Sequence, residues 1–212
     1  MFSKINYVEC YDCVSAPKLD GDIGKSIMQK LSSFKKHLAS EFTGNSSIYY
    51  HAAPIYWCKA LLNIDVLINN GLNIADSYKN RPISETYKDF SFVLLNSSLF
   101  FFNWIVQSDC YNLTRKYIAE IPIPNIDIRD NYAKYAQKLN DDLNRNIQVA
   151  EYKYANRGYV KFAQFFPKKS KSIIDEIDKV LAKHYGFTEE ELDFIINYDI
   201  KYRMGDELDN NE

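Results

Sequence analysis

The sequence lacks the short motifs by which many enzymes hold a nucleotide or a cofactor. No two of its seven glycines fall in a Gly-x-Gly spacing, which removes the signature of a dinucleotide-binding or phosphate-binding loop. None of its three histidines stands in a recognisable Ser-His-Asp or Cys-His arrangement. We therefore expect no nucleotide hydrolysis from this chain, and we assign it no catalytic residue.

Cysteine is also scarce. The four cysteines include one close pair, Cys10 and Cys13, with the C-x-x-C spacing found in many zinc sites. A structural zinc site needs four nitrogen or sulfur ligands, and the other candidates are scattered without a second close pair. Those candidates are Cys58, Cys110, His37, His51 and His184. The sequence therefore predicts no metal site, and a thiol-exchange role lacks the βαβ context that would support it.

The chain has no excess of either charge and no leading apolar segment. With 26 basic and 28 acidic residues its formal net charge is -2, which argues against a surface coated in positive charge. Residues 1–8 are too short a run for a signal peptide, and four cysteines without one favour the reduced state. We expect a cytoplasmic protein in which any contact with nucleic acid comes from a local basic cluster.

Local basic clusters do occur along the chain. They comprise Arg115 and Lys116, then Lys153, Arg157 and Lys161, and finally Lys168, Lys169 and Lys171. Such clusters bind phosphates when they converge in space, because each neutralised phosphate releases condensed counterions. A charge run is more often a solvated face, so composition by itself favours that interpretation over DNA binding.

No apolar stretch is long enough to suggest a membrane span. The most hydrophobic one, Phe92–Val106, is interrupted by Asn96, Ser97, Ser98 and Asn103. A transmembrane helix needs about 20 predominantly apolar residues, so we predict a buried helix and no membrane contact. With 46% hydrophobic residues the chain can bury a substantial core, as one large domain or two small ones.

Periodicity predicts both helices and strands before residue 125. Apolar residues at steps of three and four predict an amphipathic helix over Ile23–Phe42. The pattern of Ile48–His51 is typical of a short strand, and Ile55–Ile68 is interpreted as one or two strands. Asn112 or Thr114 can then cap a short helix.

The proline pair in Ile121-Pro122-Ile123-Pro124 predicts an extended segment and is the best candidate for a domain boundary. Beyond it we predict a long helix over Tyr132–Ala150, a strand over Tyr159–Phe166 and a helix that stops at Gly186. Thr188 then begins the next helix with capping-box spacing. The sequence thus predicts an α+β fold, with a mixed helix–strand part over residues 1–125 and a mainly helical part over residues 126–212.

Three segments in order carry a family resemblance. They are Leu94-Leu95-Asn96-Ser97-Ser98-Leu99-Phe100-Phe101-Phe102-Asn103-Trp104, then Ser108-Asp109-Cys110-Tyr111-Asn112-Leu113-Thr114, and Ile121-Pro122-Ile123-Pro124. This order resembles a signature in the C-terminal specificity regions of adenine-specific DNA methyltransferases, including Type II restriction–modification enzymes in which modification and cleavage share one polypeptide. Upstream, the Tyr49-Tyr50-His51 and Trp57-Cys58-Lys59-Ala60 steps look like the residues that precede the signature in that family. The resemblance extends from about the first helix to the C-terminus.

The resemblance implies a target-recognition domain that grips double-stranded DNA while an attached domain extrudes an adenine. Its basic residues would contact phosphates and fix the register, while Asn, Gln, Arg and Tyr side chains would read base edges. The candidates for phosphate contact, chosen by local charge, are Lys59, Arg115, Lys116, Lys153, Arg157, Lys161, Lys168 and Lys169.

The sequence departs from complete members of that family in one respect. It has no Asn/Asp-Pro-Pro-Tyr/Phe motif to hold a flipped adenine, and no glycine-bearing motif for S-adenosylmethionine. We therefore expect the methyltransferase catalytic domain, with its S-adenosylmethionine, to lie in cis outside this sequence or on another polypeptide. No cofactor is expected in this chain itself.

Two alternatives from other functional classes stay open. In the first, the chain is a protein-interaction module whose helix over residues 132–150 docks a methyltransferase or nuclease partner, and DNA is recognised elsewhere. In the second, the chain is an independent enzyme built on Cys10, Cys13 and a histidine. Metal analysis of the purified protein would distinguish the second alternative from the others.

Overall fold

The computed structural model of the protein describes residues 18–19, 21–72, 78–127, 132–156 and 158–204. Its helices are α1 (Gly21–Ser33), α2 (Asp65–Asn69), α3 (Glu85–Asn96), α4 (Ser98–Gln107), α5 (Arg115–Ala119), α6 (Tyr132–Asn146), α7 (Lys171–Tyr185), α8 (Glu189–Asn197) and α9 (Ile200–Met204). Its strands are β1 (Ser46–His51), β2 (Ala60–Leu61), β3 (Tyr78–Ile83), β4 (Gln148–Tyr154) and β5 (Gly158–Gln164). Helices pack with two small antiparallel sheets, in the orders β2-β1-β3 and β4-β5. The predicted α+β class is confirmed.

The apolar stretch at the centre of the sequence forms the core, as two helices. Every residue from Phe90 to Trp104 is buried, which confirms the predicted burial. The prediction of a single helix is wrong, because Ser97 is extended and the axes of α3 and α4 differ by 70°. The Ser97 hydroxyl donates to Leu94 O at 2.6 Å and accepts from Phe100 N at 3.0 Å, so this residue closes one helix and caps the next.

The buried polar residues of this stretch stabilise the break between α3 and α4. Asp178 of α7 accepts hydrogen bonds from Ser98 N at 3.0 Å and Leu99 N at 3.3 Å, at the positive end of α4. Arg203 of α9 donates to the Ser98 hydroxyl at 3.0 Å. Polar interruptions that look unfavourable in the sequence therefore satisfy backbone groups that the break exposes.

The helices of the core carry no membrane span by themselves. Within the described ranges, no single helix is long and apolar enough to cross a bilayer. Only the bent pair of α3 and α4, taken together, has the required length and composition.

The first predicted helix is shorter than its apolar pattern. It spans Gly21–Ser33, and the remaining residues up to Phe42 include a single 3-10 turn over Leu38–Glu41. The reason is tertiary: Leu38 N donates to Ile121 O at 3.0 Å, and Ile123 N donates to Lys36 O at 2.8 Å. The Ile121–Pro124 segment is extended, as predicted, and it pairs with the chain that would otherwise continue α1.

The first sheet confirms one predicted strand and corrects another. Ser46–His51 is a strand, which begins two residues before the predicted Ile48–His51. Within the Ile55–Ile68 segment only Ala60–Leu61 is in a strand, and Asp65–Asn69 is helical. The sheet's third strand, β3, carries Pro82 at its edge, where the missing N–H costs no ladder hydrogen bond.

The second part of the chain also departs from its prediction at one place. The helix predicted over Tyr132–Ala150 ends at Asn146, and Gln148–Tyr154 forms a strand. The strand predicted over Tyr159–Phe166 is observed as Gly158–Gln164. α7 ends at Gly186, which adopts φ 70 as predicted for a left-handed terminus.

The predicted capping box at the start of α8 is confirmed and extended by tertiary contacts. Thr188 and Glu191 exchange the two expected side-chain hydrogen bonds. Glu191 also accepts from Lys30 Nζ and Ser26 Oγ, both at 2.6 Å. The capping residue therefore fixes α8 against α1.

One apolar core includes residues from both sides of residue 125. Its buried members include Leu31 of α1, Phe102 of α4, Leu139 of α6 and Ile177 of α7. Across the predicted boundary, the Tyr185 hydroxyl donates to Pro122 O at 2.9 Å. The proline segment therefore packs inside the structure.

Candidate nucleic-acid interface

The strands β4 and β5 form a two-stranded ribbon that extends from the body of the protein. They pair in register from Gln148–Gln164 to Tyr154–Gly158, and no third strand joins them among the residues that the structure describes. Every described residue of the two strands is exposed or half-exposed. Tyr152, Tyr154 and Tyr159 are 52%, 47% and 67% exposed, which is unusual for large aromatic side chains.

The alternation of side chains divides the ribbon into two faces. We define the inner face by the cross-strand pairs Val149–Ala163, Glu151–Lys161 and Lys153–Tyr159. Ala163, together with Ile147 and Phe165 at the base of the ribbon, packs against a small cluster of Leu61, Leu67 and Leu72. This contact fixes the base of the ribbon beside the first sheet.

The outer face is defined by the remaining pairs, and none of its residues is charged. These pairs are Gln148–Gln164, Ala150–Phe162, Tyr152–Val160 and Tyr154–Gly158. The Phe162 ring lies 6.0 Å from the Tyr152 ring and 6.2 Å from the Tyr154 ring, measured between centroids. The three rings form one aromatic patch.

Lys59 lies at the base of the ribbon against two aromatic rings. Its Nζ is 4.7 Å from the centre of the Phe165 ring and 5.4 Å from that of Tyr78. Burial lowers the pKa of Lys59 to about 8, and within the described ranges no carboxylate offsets that effect. A partly buried cation of this kind is stabilised when an anionic ligand approaches it.

Lys59 is held in place by Asn96, the last residue of α3. The Asn96 side chain accepts from Ala60 N at 3.1 Å and donates to Ala60 O at 3.2 Å, so it binds strand β2 as a neighbouring strand would. Trp57 Nε1 donates to Asn96 O at 3.2 Å. On the other side, His51 N donates to Lys59 O at 2.9 Å.

His51 borders the same site and is uncharged at neutral pH. Its Nδ1 donates to Ala53 O at 2.9 Å, and its ring lies edge-on to Tyr78 at 5.1 Å. Burial, with the nearby charge of Lys59 as a second cause, lowers the pKa of His51 to about 4. The positive charge at this site therefore belongs to Lys59.

A cleft of about 360 Å³ opens beside Lys59. It is lined by His51, Ala53, Pro54, Ile55, Tyr56, Trp57, Lys59, Phe165, Pro167 and Arg203. A smaller cavity of about 50 Å³ shares His51 and includes Lys161 and Phe162 of the ribbon. His51 thus borders both the cleft beside Lys59 and the cavity beside Lys161.

Five of the eight basic residues chosen from the sequence lie around the ribbon. Lys153 and Lys161 are on its inner face, Lys59 is at its base, and Lys168 and Lys169 follow Pro167 of the cleft. Glu151, opposite Lys161, is the acidic residue on the two strands. The ribbon region is therefore basic although the chain as a whole is not.

The structure shows no contact that places the other three of the eight basic residues at the ribbon. Arg115 and Lys116 are exposed on α5, where Arg115 lies 6.0 Å from the Phe42 ring. α5 packs on the Leu38–Glu41 turn. Arg157 lies outside the described residues.

The aromatic outer face was not selected from the sequence. The alternation in Gln148–Tyr154, followed by an Asn-Arg-Gly step, is the signal that indicates a hairpin. This hairpin signal is hard to recognise in the sequence, because the apolar positions of α6 continue with helical spacing up to Ala150. Tyr152, Tyr154 and Phe162 become a surface only when that helix ends.

The structure also bears on the metal hypothesis. Among the residues that it describes, no group of three His, Cys, Asp or Glu side chains could hold a metal ion. Cys58 is buried and Cys110 exposed, and neither forms a disulfide. Cys10 and Cys13 lie outside the described residues.

Comparison with protein-family models, with curated proteins and with solved structures found no match for this chain.

Proposed function

We propose that this chain is the sequence-specific DNA-recognition part of an adenine-specific DNA methyltransferase or restriction–modification enzyme. Its ligand is double-stranded DNA, bound at the ribbon and the basic residues around it. Methyl transfer and S-adenosylmethionine belong to a catalytic domain that lies in cis or on another chain.

The observation that carries this proposal is the basic region around Lys59. Burial lowers the pKa of Lys59, and a nearby anion raises it again because the anion stabilises the charged form. Lys161 lines a cavity that shares His51 with the cleft of Lys59, and Lys168 and Lys169 follow Pro167 of that cleft. Several cations near one surface are what the phosphates of a nucleic acid require.

The segment that resembles the methyltransferase specificity regions supports the proposal by its structural role. Asn96, Ser97 and Ser98 are buried, and they hold β2 and the start of α4 in place. The residues that resemble the methyltransferase specificity regions therefore build the framework that presents Lys59 and the ribbon. They do not themselves face a ligand.

A salt series tests this proposal. We expect the double variant Lys153→Ala, Lys161→Ala to bind duplex DNA more weakly than the wild type, whatever the DNA sequence. If both lysines contact phosphates, the slope of log affinity against log salt should fall by about 0.9 for each lost contact. Binding would be measured by fluorescence anisotropy on two duplexes of unrelated sequence.

The matched control is the double variant Lys35→Ala, Lys183→Ala, which removes two exposed lysines on other elements. It should leave the slope unchanged. A wild-type protein that binds neither duplex at low salt would refute the proposal. Normal DNA binding by the ribbon variant would remove these two lysines from the DNA interface and place that interface on another surface of the chain.

A further inference from the structure

The two faces of the ribbon differ in chemistry, not only in direction. All the charged side chains of its two strands are on the inner face, namely Glu151, Lys153 and Lys161. The outer face carries two tyrosines, a phenylalanine and two glutamines, and no charge. Cationic side chains release condensed counterions when they neutralise phosphates, which the uncharged outer face cannot do, so the two faces contribute differently to a contact with nucleic acid.

The exposed aromatic rings of the outer face are typical of a surface that a partner covers. A two-stranded ribbon by itself is marginally stable in water, and this one has three neighbouring aromatic rings exposed to solvent. Its base is fixed by Ile147, Ala163 and Phe165. About half of the surface of Tyr152 and of Tyr154 stays exposed.

The charge of the ribbon as a whole indicates what kind of partner it meets. The segment 148–164 has three basic residues, Lys153, Arg157 and Lys161, and one acidic residue, Glu151, which gives a formal charge of +2 within a chain of net charge -2. The lysines at its base, Lys59 and Lys169, add to that local charge. The region is complementary to a polyanion.

The shape of the ribbon selects double-stranded DNA among polyanions. The major groove of B-DNA is about 12 Å wide and admits a two-stranded β-ribbon, whereas the deep major groove of A-form RNA does not admit side chains. A ribbon that enters this groove has its base over one sugar–phosphate backbone. Lys59, Lys168 and Lys169 lie at that end of the ribbon.

We propose that the β4–β5 ribbon lies in the major groove with its outer face toward the base edges, where Tyr152 and Tyr154 determine sequence specificity. Tyrosine hydroxyls and glutamine amides both donate and accept hydrogen bonds, as base edges require. The apolar ring of Phe162 suits contact with a thymine methyl group. The lysines of the inner face and base supply affinity that is independent of sequence. This assignment rests on the proposed DNA-binding function.

In this assignment the outer face determines sequence specificity, and the lysines of the inner face and base determine affinity. Selection of bound DNA sequences tests it. The wild-type chain and variants would each select duplexes from a randomised pool, and the bound fraction would be sequenced. We expect the wild type to enrich a defined motif. Tyr154→Ala or Tyr152→Ala should lose preference at one or two adjacent base pairs, with discrimination there reduced on the order of tenfold.

Two further variants make the result specific to the outer face. Lys161→Ala, on the inner face, should keep the motif and lower the affinity for every duplex. Tyr111→Ala, which removes a 76% exposed tyrosine outside the ribbon, should change neither. Thermal unfolding of each variant shows whether it is folded, and exposed positions on the ribbon should tolerate substitution.

The outcomes distinguish this inference from the proposed function. If the wild type selects a motif and both tyrosine variants select the same motif with unchanged discrimination, the outer face does not read DNA and the inference fails, while DNA binding stands. If those variants instead lose binding to a methyltransferase domain, the face is a protein-docking surface and the inference is also overturned. If the wild type binds no duplex, the proposed function itself fails.

Discussion

His51 connects the stability of the protein to the state of its candidate site. Its ring is packed against Tyr78 and lies close to Lys59, and both burial and that positive charge disfavour a second proton. The pKa of His51 falls to about 4 in the folded protein, whereas an unfolded chain has a value near 6.5. The unfolded state therefore binds the proton more readily than the folded state does.

This difference predicts acid sensitivity in a defined window. Above about pH 6.5 neither state is protonated at His51 and its full contribution is present; between pH 6.5 and 4 only the unfolded state gains the proton, so the free energy of unfolding falls. His51→Asn, which keeps a donor for Ala53 O, should remove on the order of 1–2 kcal/mol of that decline after allowance for solvent screening. Urea unfolding at pH 7 and pH 4.5 measures it.

The control for this prediction is His37→Asn, because His37 is exposed. Carboxylates that titrate in the same range are present in both variants and cancel in the comparison. An equal decline in the wild type and in His51→Asn would show that His51 gains a proton as readily in the folded state as in the unfolded one.

At the scale of elements, the break between α3 and α4 organises the core. Two short helices at 70° can present large rings to α7, α8 and α9, whereas one straight helix would carry the second half of the stretch away from them. Phe102 packs against Phe194 and Tyr198 with ring centroids 5.6 Å and 4.9 Å apart. Phe101 and Trp104 are equally enclosed.

Truncation of these rings should therefore compromise folding. We expect Phe101→Ala or Trp104→Ala to lower the free energy of unfolding by about 3–5 kcal/mol, because each leaves a large cavity in a close-packed interior. Thermal and urea unfolding measure the loss, and Tyr111→Ala provides an exposed aromatic for comparison. An unchanged thermal midpoint in both core variants would mean that this segment is a surface and that the packing described above is wrong.

At the scale of the whole molecule, the shared core determines how the chain unfolds. α1, α4, α6 and α7 all contribute buried residues to one cluster, and Tyr185 is hydrogen-bonded to the proline segment at Pro122. A division into parts 1–125 and 126–212 remains a prediction from the sequence. Two parts that share an interior stabilise each other, so neither retains its full stability alone.

We expect a single cooperative unfolding transition. Circular dichroism, which reports helices on both sides of residue 125, and the fluorescence of Trp57 and Trp104, which reports the first part alone, should give the same midpoint. Two separated transitions would instead establish residue 125 as a boundary between independently folding domains. Limited proteolysis that yields a stable C-terminal fragment would support the same conclusion.

The sequence by itself determined the features that depend on neighbouring residues. The capping box at Thr188, the left-handed Gly186, the extended proline segment and the burial of Phe92–Val106 are all local patterns, and the structure confirms them. Lysines could be selected as candidate phosphate contacts by local charge. Their positions in the folded chain could not be predicted from the sequence.

The tertiary structure decided where the elements end and which side chains meet. α1 stops at Ser33 because the chain after it pairs with Ile121–Ile123, and the apolar phase of α6 continues into a segment that pairs with β5 as a strand. Lys59 lies by the ribbon because its neighbour Ala60 is hydrogen-bonded to Asn96, which follows Ala60 by 36 residues in the chain. Each of these outcomes depends on hydrogen bonds and packing between segments that are distant in sequence, and a pattern of adjacent residues contains no record of such partners.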